Sequence, residues 1–164
     1  MTQSSRAEVV ESSAQTGRPE IYIPRWQELT QYEQVILAVL SGAGQAVTYF
    51  EVFRSVVGMR IAEQNKDYSV NKFVDDMEKM GGVNGVMTHY RKLGYKFPHP
   101  HVVRETLAGF ERAGWVGSRF AGKKQYFFLN SIIEKALKDD LDKKIYKMVR
   151  GEVEQRMVQL RAKS

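Results

Sequence analysis

The stretch VNGVMTHYRKLGYKFPHPHVVRETLAGFERAGWVGSRFAGKKQYFFLN, residues 83–130, carries the signals of two helices followed by a two-stranded hairpin. Apolar side chains recur in its first part at Val86, Tyr90 and Leu93, which is the i, i+4, i+7 spacing of one buried helix face. Gly94 ends this predicted helix. The FPHP sequence that follows prevents its continuation, because a residue before proline is pushed out of the α region. The second proline suits the first turn of a new helix.

The second helix is predicted to end at about Ala113, with Gly114 where a helix end takes a left-handed residue. The side chains at helical spacing on its core side are Val103, Leu107 and Phe110. Those on its other face are His101, Arg104, Glu105, Ala108 and Arg112. Beyond this helix, residues 115–116 and 125–129 are β-prone, and the Ala-Gly-Lys turn at 121–123 predicts that they pair as a hairpin.

The composition of the 164 residues, 43% hydrophobic and 27% charged, is that of a globular protein with room for one domain and an oligomerisation element. The chain has no cysteine, which excludes disulfides and thiolate metal sites. No apolar run approaches the length that spans a membrane, and the N-terminus lacks the hydrophobic core of a secretion signal. We therefore expect an intracellular protein, either cytoplasmic, in association with the nucleoid, or elsewhere inside the cell.

The net charge of +6 is unevenly distributed along the chain. Residues 1–27 are neutral, and residues 28–83 hold five basic and eight acidic side chains, a net charge of −3. Residues 84–130 hold eight basic and two acidic side chains, a net charge of +6. Residues 131–164 hold nine basic and six acidic side chains, a net charge of +3. Positive charge is thus concentrated in the helix-and-hairpin stretch, as expected for a polyanionic partner.

Three regions are predicted: a disordered tail over residues 1–20, a domain over 21–130 and a C-terminal helix over 131–164. Residues 21–23 predict either a short edge strand or an arm that packs down through its aromatic side chains. The pairs Thr30 with Glu33, Thr48 with Glu51 and Ser131 with Glu134 have the spacing of a capping box and predict helix starts. The second of these helices should bury Phe50, Phe53, Val56 and Val57. A further helix is predicted from about Ser69 to Met80, ended by Gly81-Gly82.

The C-terminal helix is predicted to run for about 30 residues, or about 45 Å, because no proline interrupts it. A helix of that length cannot bury its apolar stripe on a small domain alone. We therefore expect it to pair with the same helix of a second copy in a two-fold dimer. The stripe begins at Ile133, and the expected dimerisation residues are Leu137, Leu141, Ile145, Val149, Val153, Met157 and Leu160.

The central stretch resembles the winged helix-turn-helix superfamily of DNA-binding proteins. The residues that carry the resemblance are 90–95 (YRKLGY) for the first helix and its turn, 101–107 (HVVRETL), Phe110 and 113–116 (AGWV) for the recognition helix and its exit, and 122–127 (GKKQYF) for the wing. The fold class expected is α+β, mainly α with a small hairpin. With its long C-terminal helix, the chain is also similar to PadR-type and MarR-type regulators.

The resemblance implies a sequence-preferring protein of duplex DNA, a dimeric transcriptional regulator or a replication or segregation factor. Arg104 would donate to guanine, Glu105 would accept from cytosine, and His101 would reach a base edge or phosphate in the major groove. The wing would contact phosphates or a minor groove through Arg119 and Lys123. The other basic residues and histidine expected to contact DNA are Arg91, Lys92, Lys96, His99, Arg112 and Lys124.

Two other classes of function stay open. The charged helix face suits a protein-interaction module that binds an acidic partner without DNA, and Tyr126, Phe127 and Phe128 offer aromatic surface for unpaired RNA or DNA, although core packing is favoured for them. No catalytic motif, cofactor or small-molecule effector is predicted. His89, His99 and His101 lack a fourth ligand nearby, so no metal site is expected either.

Overall fold

The helices and strands follow the capping and turn signals of the sequence in most places. The computed structural model describes residues 7–10, 21–43 and 45–141. Its helices are α1 (Gln31–Gly42), α2 (Tyr49–Gln64), α3 (Val70–Met80), α4 (Val83–Lys92), α5 (Pro100–Arg112), α6 (Ser131–Ala136) and α7 (Lys138–Leu141). Its strands are β1 (Ala7–Val10), β2 (Ile21–Pro24), β3 (Val47–Thr48), β4 (Val116–Ala121) and β5 (Lys124–Leu129). The protein is thus mainly helical with small antiparallel sheets, so the expected α+β class is confirmed.

Two of the three predicted capping boxes are confirmed. Thr30 caps α1 together with Glu33, and Thr48 caps α2 together with Glu51. The third is wrong, because the cap of α6 is the side chain of Asn130, which accepts from the backbone N–H of Ile132 at 2.9 Å. Glu134 is engaged elsewhere, since its carboxylate accepts from Ser41 Oγ in α1 at 2.7 Å.

The N-terminal tail contains a strand that the sequence did not predict. β1 pairs antiparallel with β2, from Ala7 opposite Pro24 to Val10 opposite Ile21. The prediction of disorder over residues 1–20 is therefore wrong for β1, where two consecutive valines favour an extended chain. β2, which was predicted, is tied to the domain by the Trp115 indole N–H, which donates to the carbonyl of Tyr22 at 2.7 Å.

A three-stranded antiparallel sheet has the strand order β3-β5-β4. Phe127 in the central strand pairs with Val47 on one side and Ser118 on the other. Val47, Val116 and Phe127 are buried, so this face of the sheet packs on the helices. We call β4, β5 and their turn the basic hairpin, because the exposed side chains near its tip include Arg119, Lys123 and Lys124.

The helical partners of α5 are α1 and α2, and α5 also contacts β4. α3 and α4 pack on one another, and α4 packs on α2. The prediction that α4 and α5 pack together as the helix pair is therefore wrong. The partner of α5 is α2, and α3 and α4 lie between α2 and α5 in the chain. The cause is the loop at 93–99, in which Pro98 prevents a tight turn between two helices. The backbone N–H and carbonyl of Lys96 in this loop both hydrogen-bond with the side chain of Gln64 at the end of α2.

The core includes the run of residues 35–40 in α1, all of which are buried. Val103, Leu107 and Phe110 are also buried, as predicted. Leu93 was predicted to be buried but is 62% exposed, because it caps α4 with non-helical angles and leaves the stripe. Phe50 is 50% exposed, because the buried stripe of α2 runs through other positions. Those positions are Val52, Phe53, Val56 and Val57.

The C-terminal helix is interrupted at Leu137, which separates α6 from α7, so the prediction of one unbroken helix is wrong there. Leu137 and Leu141 are 3% and 1% exposed and belong to the core of this chain, so they do not present the dimerisation surface expected of them. The other residues of the predicted stripe, Ile145, Val149, Val153, Met157 and Leu160, lie outside the described residues. Across the described ranges no helix is both long and apolar enough to cross a lipid bilayer.

Candidate nucleic-acid interface

The N-terminus of α5 is built by the prolyl loop that precedes it. Pro100 occupies the first turn, and His99 is the capping residue, with its Nδ1 accepting from the backbone N–H of His101 at 3.1 Å. His99 was expected to contact DNA. The structure gives this side chain a local role in starting the helix.

The outer face of α5 carries the charged side chains that the sequence assigned to it. His101, Arg104, Glu105 and Arg112 are all exposed. His101 Nε2 lies 2.8 Å from Glu105 Oε1, an i,i+4 contact in which both side chains are about two-thirds exposed. His101 is thus the partner of the Glu105 carboxylate on this exposed face.

Arg104 lies against the first residue of α2. Its guanidinium carbon is 4.2 Å from the centroid of the Tyr49 ring, within the range of a cation–π contact. The Tyr49 hydroxyl donates to the carbonyl of Pro100 at 3.1 Å, and its ring stacks on Phe53 below. Tyr49 is therefore held at both ends, and it sets the direction in which Arg104 leaves α5.

The start of α2 contributes residues that the sequence did not single out. Phe50 is half exposed, and the Arg54 guanidinium lies over its ring at 5.3 Å. Tyr49 and Phe50 directly follow the Thr48 cap, and Arg54 is four residues after Phe50. Two consecutive aromatic residues in the first turn were the available signal, because neighbouring positions of a helix point in different directions and both rings cannot enter the core equally.

The basic hairpin is fixed against the same part of the molecule. Thr48 pairs with Tyr126, so the start of α2 lies beside β5. The Ser118 hydroxyl donates to Glu111 of α5 and accepts from the side chain of Gln125. The hairpin is thereby held to both α2 and α5, and its position relative to Arg104 is set by these contacts.

The hairpin turn is tight and basic. Ala121 pairs with Lys124, and Gly122 at the first central position has a φ of 65°, as a type II′ turn requires. Arg119, Lys123 and Lys124 are exposed, and their contact with phosphates stays a prediction. The tip thus presents three cations on a narrow support.

Three of the predicted contact residues are not part of this group. Arg91, Lys92 and Lys96 are exposed, but the contact of Lys96 with Gln64 places them at the far end of α2 from Tyr49. The Arg91 guanidinium lies over the Phe97 ring at 5.8 Å. The predicted site is therefore divided into two basic regions.

The aromatic run of β5 is split between the two faces of the hairpin. Phe127 is buried, which confirms core packing for it. Phe128 is 42% exposed on the opposite face, and its ring covers Gly117, where a Cβ would collide with it. The aromatic run is thus divided, with Phe127 in the core and Tyr126 and Phe128 on the opposite face.

A buried polar cluster lies away from this interface, where Asp76 of α3 meets Tyr90 of α4 and Tyr68 just before α3. Asp76 is 1% exposed, and its Oδ2 accepts from the hydroxyls of Tyr68 at 2.9 Å and Tyr90 at 2.6 Å. Lys72 Nζ lies 3.0 Å from Oδ1. Burial raises the pKa of Asp76, but the hydrogen bonds from Tyr90, Lys72 and Tyr68 outweigh it and hold that pKa below its ordinary value.

The interface offers cations, hydrogen-bond donors and exposed aromatic rings, which is the chemistry that binds nucleic acid. Among residues 7–10, 21–43 and 45–141, no group of three or more histidine or carboxylate side chains is placed to hold a metal ion. His99 and His101 face each other with ring centroids 6.4 Å apart, and His89 packs on Tyr90. No family model, no curated protein and no solved structure matches this chain.

Proposed function

We propose that this chain is a winged-helix protein that binds double-stranded DNA with sequence preference. The observation that carries the proposal is the placement of Arg104 and the basic hairpin around the start of α2. In support, α5 packs on α2 and is followed directly by a two-stranded hairpin, as a recognition helix is followed by its wing, although α3 and α4 lie between α2 and α5 in the chain.

In this proposal α5 enters the major groove with its N-terminal half foremost. Arg104 donates to O6 and N7 of a guanine, a pairing that needs a guanidinium held in a defined direction. Tyr49 supplies that direction through its ring. Glu105, partnered by His101, is available to accept from cytosine N4.

The basic hairpin supplies affinity in the same proposal. Lys123 and Lys124 neutralise phosphates and release counterions, a contribution that does not depend on sequence. Gly122, which lacks a side chain, allows the turn to approach the backbone of the duplex closely. Recognition by α5 and attachment by the hairpin are therefore separable by mutation.

The proposed role is that of a transcriptional regulator, or a replication or segregation factor, that acts as a homodimer. A second copy is supported by the helical spacing of Ile145, Val149 and Val153 in the sequence. Sedimentation equilibrium tests this part. A protein that stays monomeric over a hundredfold concentration range would remove the dimer from the proposal.

The first test is the fluorescence anisotropy of a labelled random-sequence duplex, titrated with protein at several salt concentrations. DNA binding predicts an affinity that falls log-linearly with salt. Lys79→Ala is the matched control, because Lys79 lies in α3, outside the interface, and its removal changes net charge by the same amount as Lys123→Ala. Absence of binding at low salt would refute the proposal and point to a protein-interaction module. Tighter binding of an unpaired strand than of the duplex would point to a single-strand binder.

A further inference from the structure

The most exposed large apolar side chain in the described part of the protein is Phe120, with 70% of its surface accessible. Single exposed apolar residues are common on protein surfaces. Phe120 differs in its position, because it lies one residue before the turn segment that begins at Ala121 and has cations on both sides in sequence. These cations are Arg119, Lys123 and Lys124.

Strand alternation fixes the direction of the ring. Val116, Ser118 and Phe120 project from one face of β4, and Gln125 lies opposite Phe120 on β5. Val116 is buried against the helices, and Ser118 donates to Glu111 of α5. Phe120 therefore projects on the side of the hairpin that faces α5, beyond the last contact that anchors the hairpin there.

The other face of the hairpin has a different composition. Arg119, Lys124, Tyr126 and Phe128 lie there, with the Phe128 ring resting on Gly117. A protein that stacks several unpaired bases needs several aromatic rings on one surface. Phe120 is separated from the other exposed rings of the hairpin by the thickness of the sheet, so it provides one isolated ring on a narrow support.

One apolar ring near the tip of a basic hairpin is an arrangement with which minor-groove proteins open a duplex. Such proteins attach to phosphates through basic side chains and insert a Phe, Leu, Ile, Met or Pro between two base pairs, which kinks the DNA. The charges at the tip of the basic hairpin are complementary to the phosphates on either side of a groove. The backbones of the two strands are about 5 Å apart, and a minor groove is about 6 Å wide before it is opened, so the side chains at the tip enter the groove and the whole ribbon does not.

We propose that Phe120 is a wedge that enters the minor groove next to the site of α5 and partly unstacks one base step, bending the duplex. This inference rests on the proposed function. It adds a source of specificity that involves no hydrogen bond to a base: pyrimidine–purine steps unstack most easily, so the protein favours one of them where the hairpin reaches.

The test uses the full-length protein and a duplex selected from a random library for tight binding. A set of such duplexes carries 2-aminopurine at successive positions on both sides of the central site. Wild-type protein is expected to raise the fluorescence at one step and to increase energy transfer between dyes at the two ends of the duplex. Phe120→Ala is expected to abolish both signals and to weaken binding about tenfold, while the slope of affinity against salt stays unchanged. Phe120→Trp is expected to retain them.

Phe128→Ala is the matched control, because it removes a half-exposed ring from the opposite face of the same hairpin. It should leave the fluorescence change and the bend in place. Equal loss of signal in both variants, or salt-dependent binding by wild-type protein without any unstacking, would overturn the wedge and leave duplex binding intact. A larger effect of Phe120→Ala on a single strand than on the duplex would overturn it in favour of base stacking. If the wild-type protein binds no duplex at low salt, the proposed function itself fails.

Discussion

The guanidinium of Arg104 lies 4.2 Å from the ring centroid of Tyr49. This contact connects the second turn of α5 with the first residue of α2. The Tyr49 hydroxyl also donates to the Pro100 carbonyl in the first turn of α5. Tyr49 thus contacts α5 at two points one turn apart. A rigid ring beneath an exposed arginine lowers the entropy that the arginine loses when it binds a base.

Arg104→Ala is expected to reduce sequence preference. In the proposed function the guanidinium reads a guanine, and a bidentate pair of this kind contributes about 1–3 kcal/mol of discrimination. The affinity for a selected duplex should therefore fall by about that amount, while binding to random duplex changes much less. Competition between the two duplexes measures this. Equal loss on both would contradict a reading role for Arg104.

Tyr49→Ala should reproduce much of the Arg104→Ala effect although Tyr49 itself need not touch DNA. Tyr49→Phe keeps the ring beneath the guanidinium and removes only the hydroxyl that binds Pro100, so it should retain most of the sequence preference. In a double-mutant cycle, Tyr49→Ala and Arg104→Ala should be strongly non-additive, because both remove one positioned group. Additive losses would mean that the ring acts independently of the arginine.

Lys123→Ala should weaken the binding of all duplexes alike. One phosphate contact fewer lowers the magnitude of the slope of log affinity against log salt by about 0.9. The slope is measured by the same anisotropy titrations for wild type, Lys123→Ala and the α3 control Lys79→Ala. A slope that stays at the wild-type value in Lys123→Ala would show that this side chain lies away from phosphate.

The local signals in the sequence were sufficient for most element boundaries. Thr30 and Thr48 cap helices through bonds to residues three positions later, and Gly114 ends a helix with its own positive φ of 79°. Interactions of this kind are complete within one turn of chain, so the residue types alone determine them. This is why α1, α2, α3 and α5 begin close to where the sequence predicts.

The partner of α5 depends on contacts between distant residues and could not be predicted in the same way. α2 and α4 both carry an apolar stripe, and α4 is the nearer of the two in sequence. The contact that brings the loop at 93–99 to the end of α2 is the bond between Gln64 and Lys96, which are 32 residues apart. The structure therefore adds Tyr49 and Phe50 to the residues around Arg104. It places the predicted contact residues Arg91 and Lys92 elsewhere on the surface.

The buried carboxylate of Asp76 is expected to be the most sensitive polar position for stability. Asp76→Ala leaves two buried tyrosine hydroxyls without their acceptor and should lower the free energy of unfolding by about 3 kcal/mol. Its neighbour Asp75 is the control, since it pairs with Lys79 on the surface, and Asp75→Ala should cost less than about 1 kcal/mol. Urea denaturation followed by circular dichroism measures both. Similar losses would contradict the role given to the Asp76 cluster.

The same cluster predicts how stability depends on pH. The folded pKa of Asp76 lies below its ordinary value of 3.8, so its contribution is complete above that value and is lost as the pH falls through the folded pKa. Burial and the bond to Asp76 raise the pKa of Tyr90 to about 12. The contribution of Tyr90 is therefore complete below its ordinary value of 10.0 and is lost as the pH rises toward 12. Tyr90→Phe should remove part of the alkaline loss, and an unchanged alkaline profile would contradict this assignment.

Gly85 tests the packing between α3 and α4, and Gly109 in α5 is its control. A Cβ at Gly85, in the first turn of α4, would collide with the carbonyl oxygen of Met80, so Gly85→Ala forces the backbone of the two helices apart. We expect a loss of about 2–3 kcal/mol in the free energy of unfolding.

A Cβ at Gly109 in α5 has its nearest neighbour at 3.8 Å, the end of the flexible Arg112 side chain. Gly109→Ala should therefore stabilise the protein by about 0.5–1 kcal/mol, because alanine is the better helix former. Thermal unfolding of both variants decides the matter, and a neutral Gly85→Ala would mean that α4 does not pack against the end of α3 as closely as the backbone positions require.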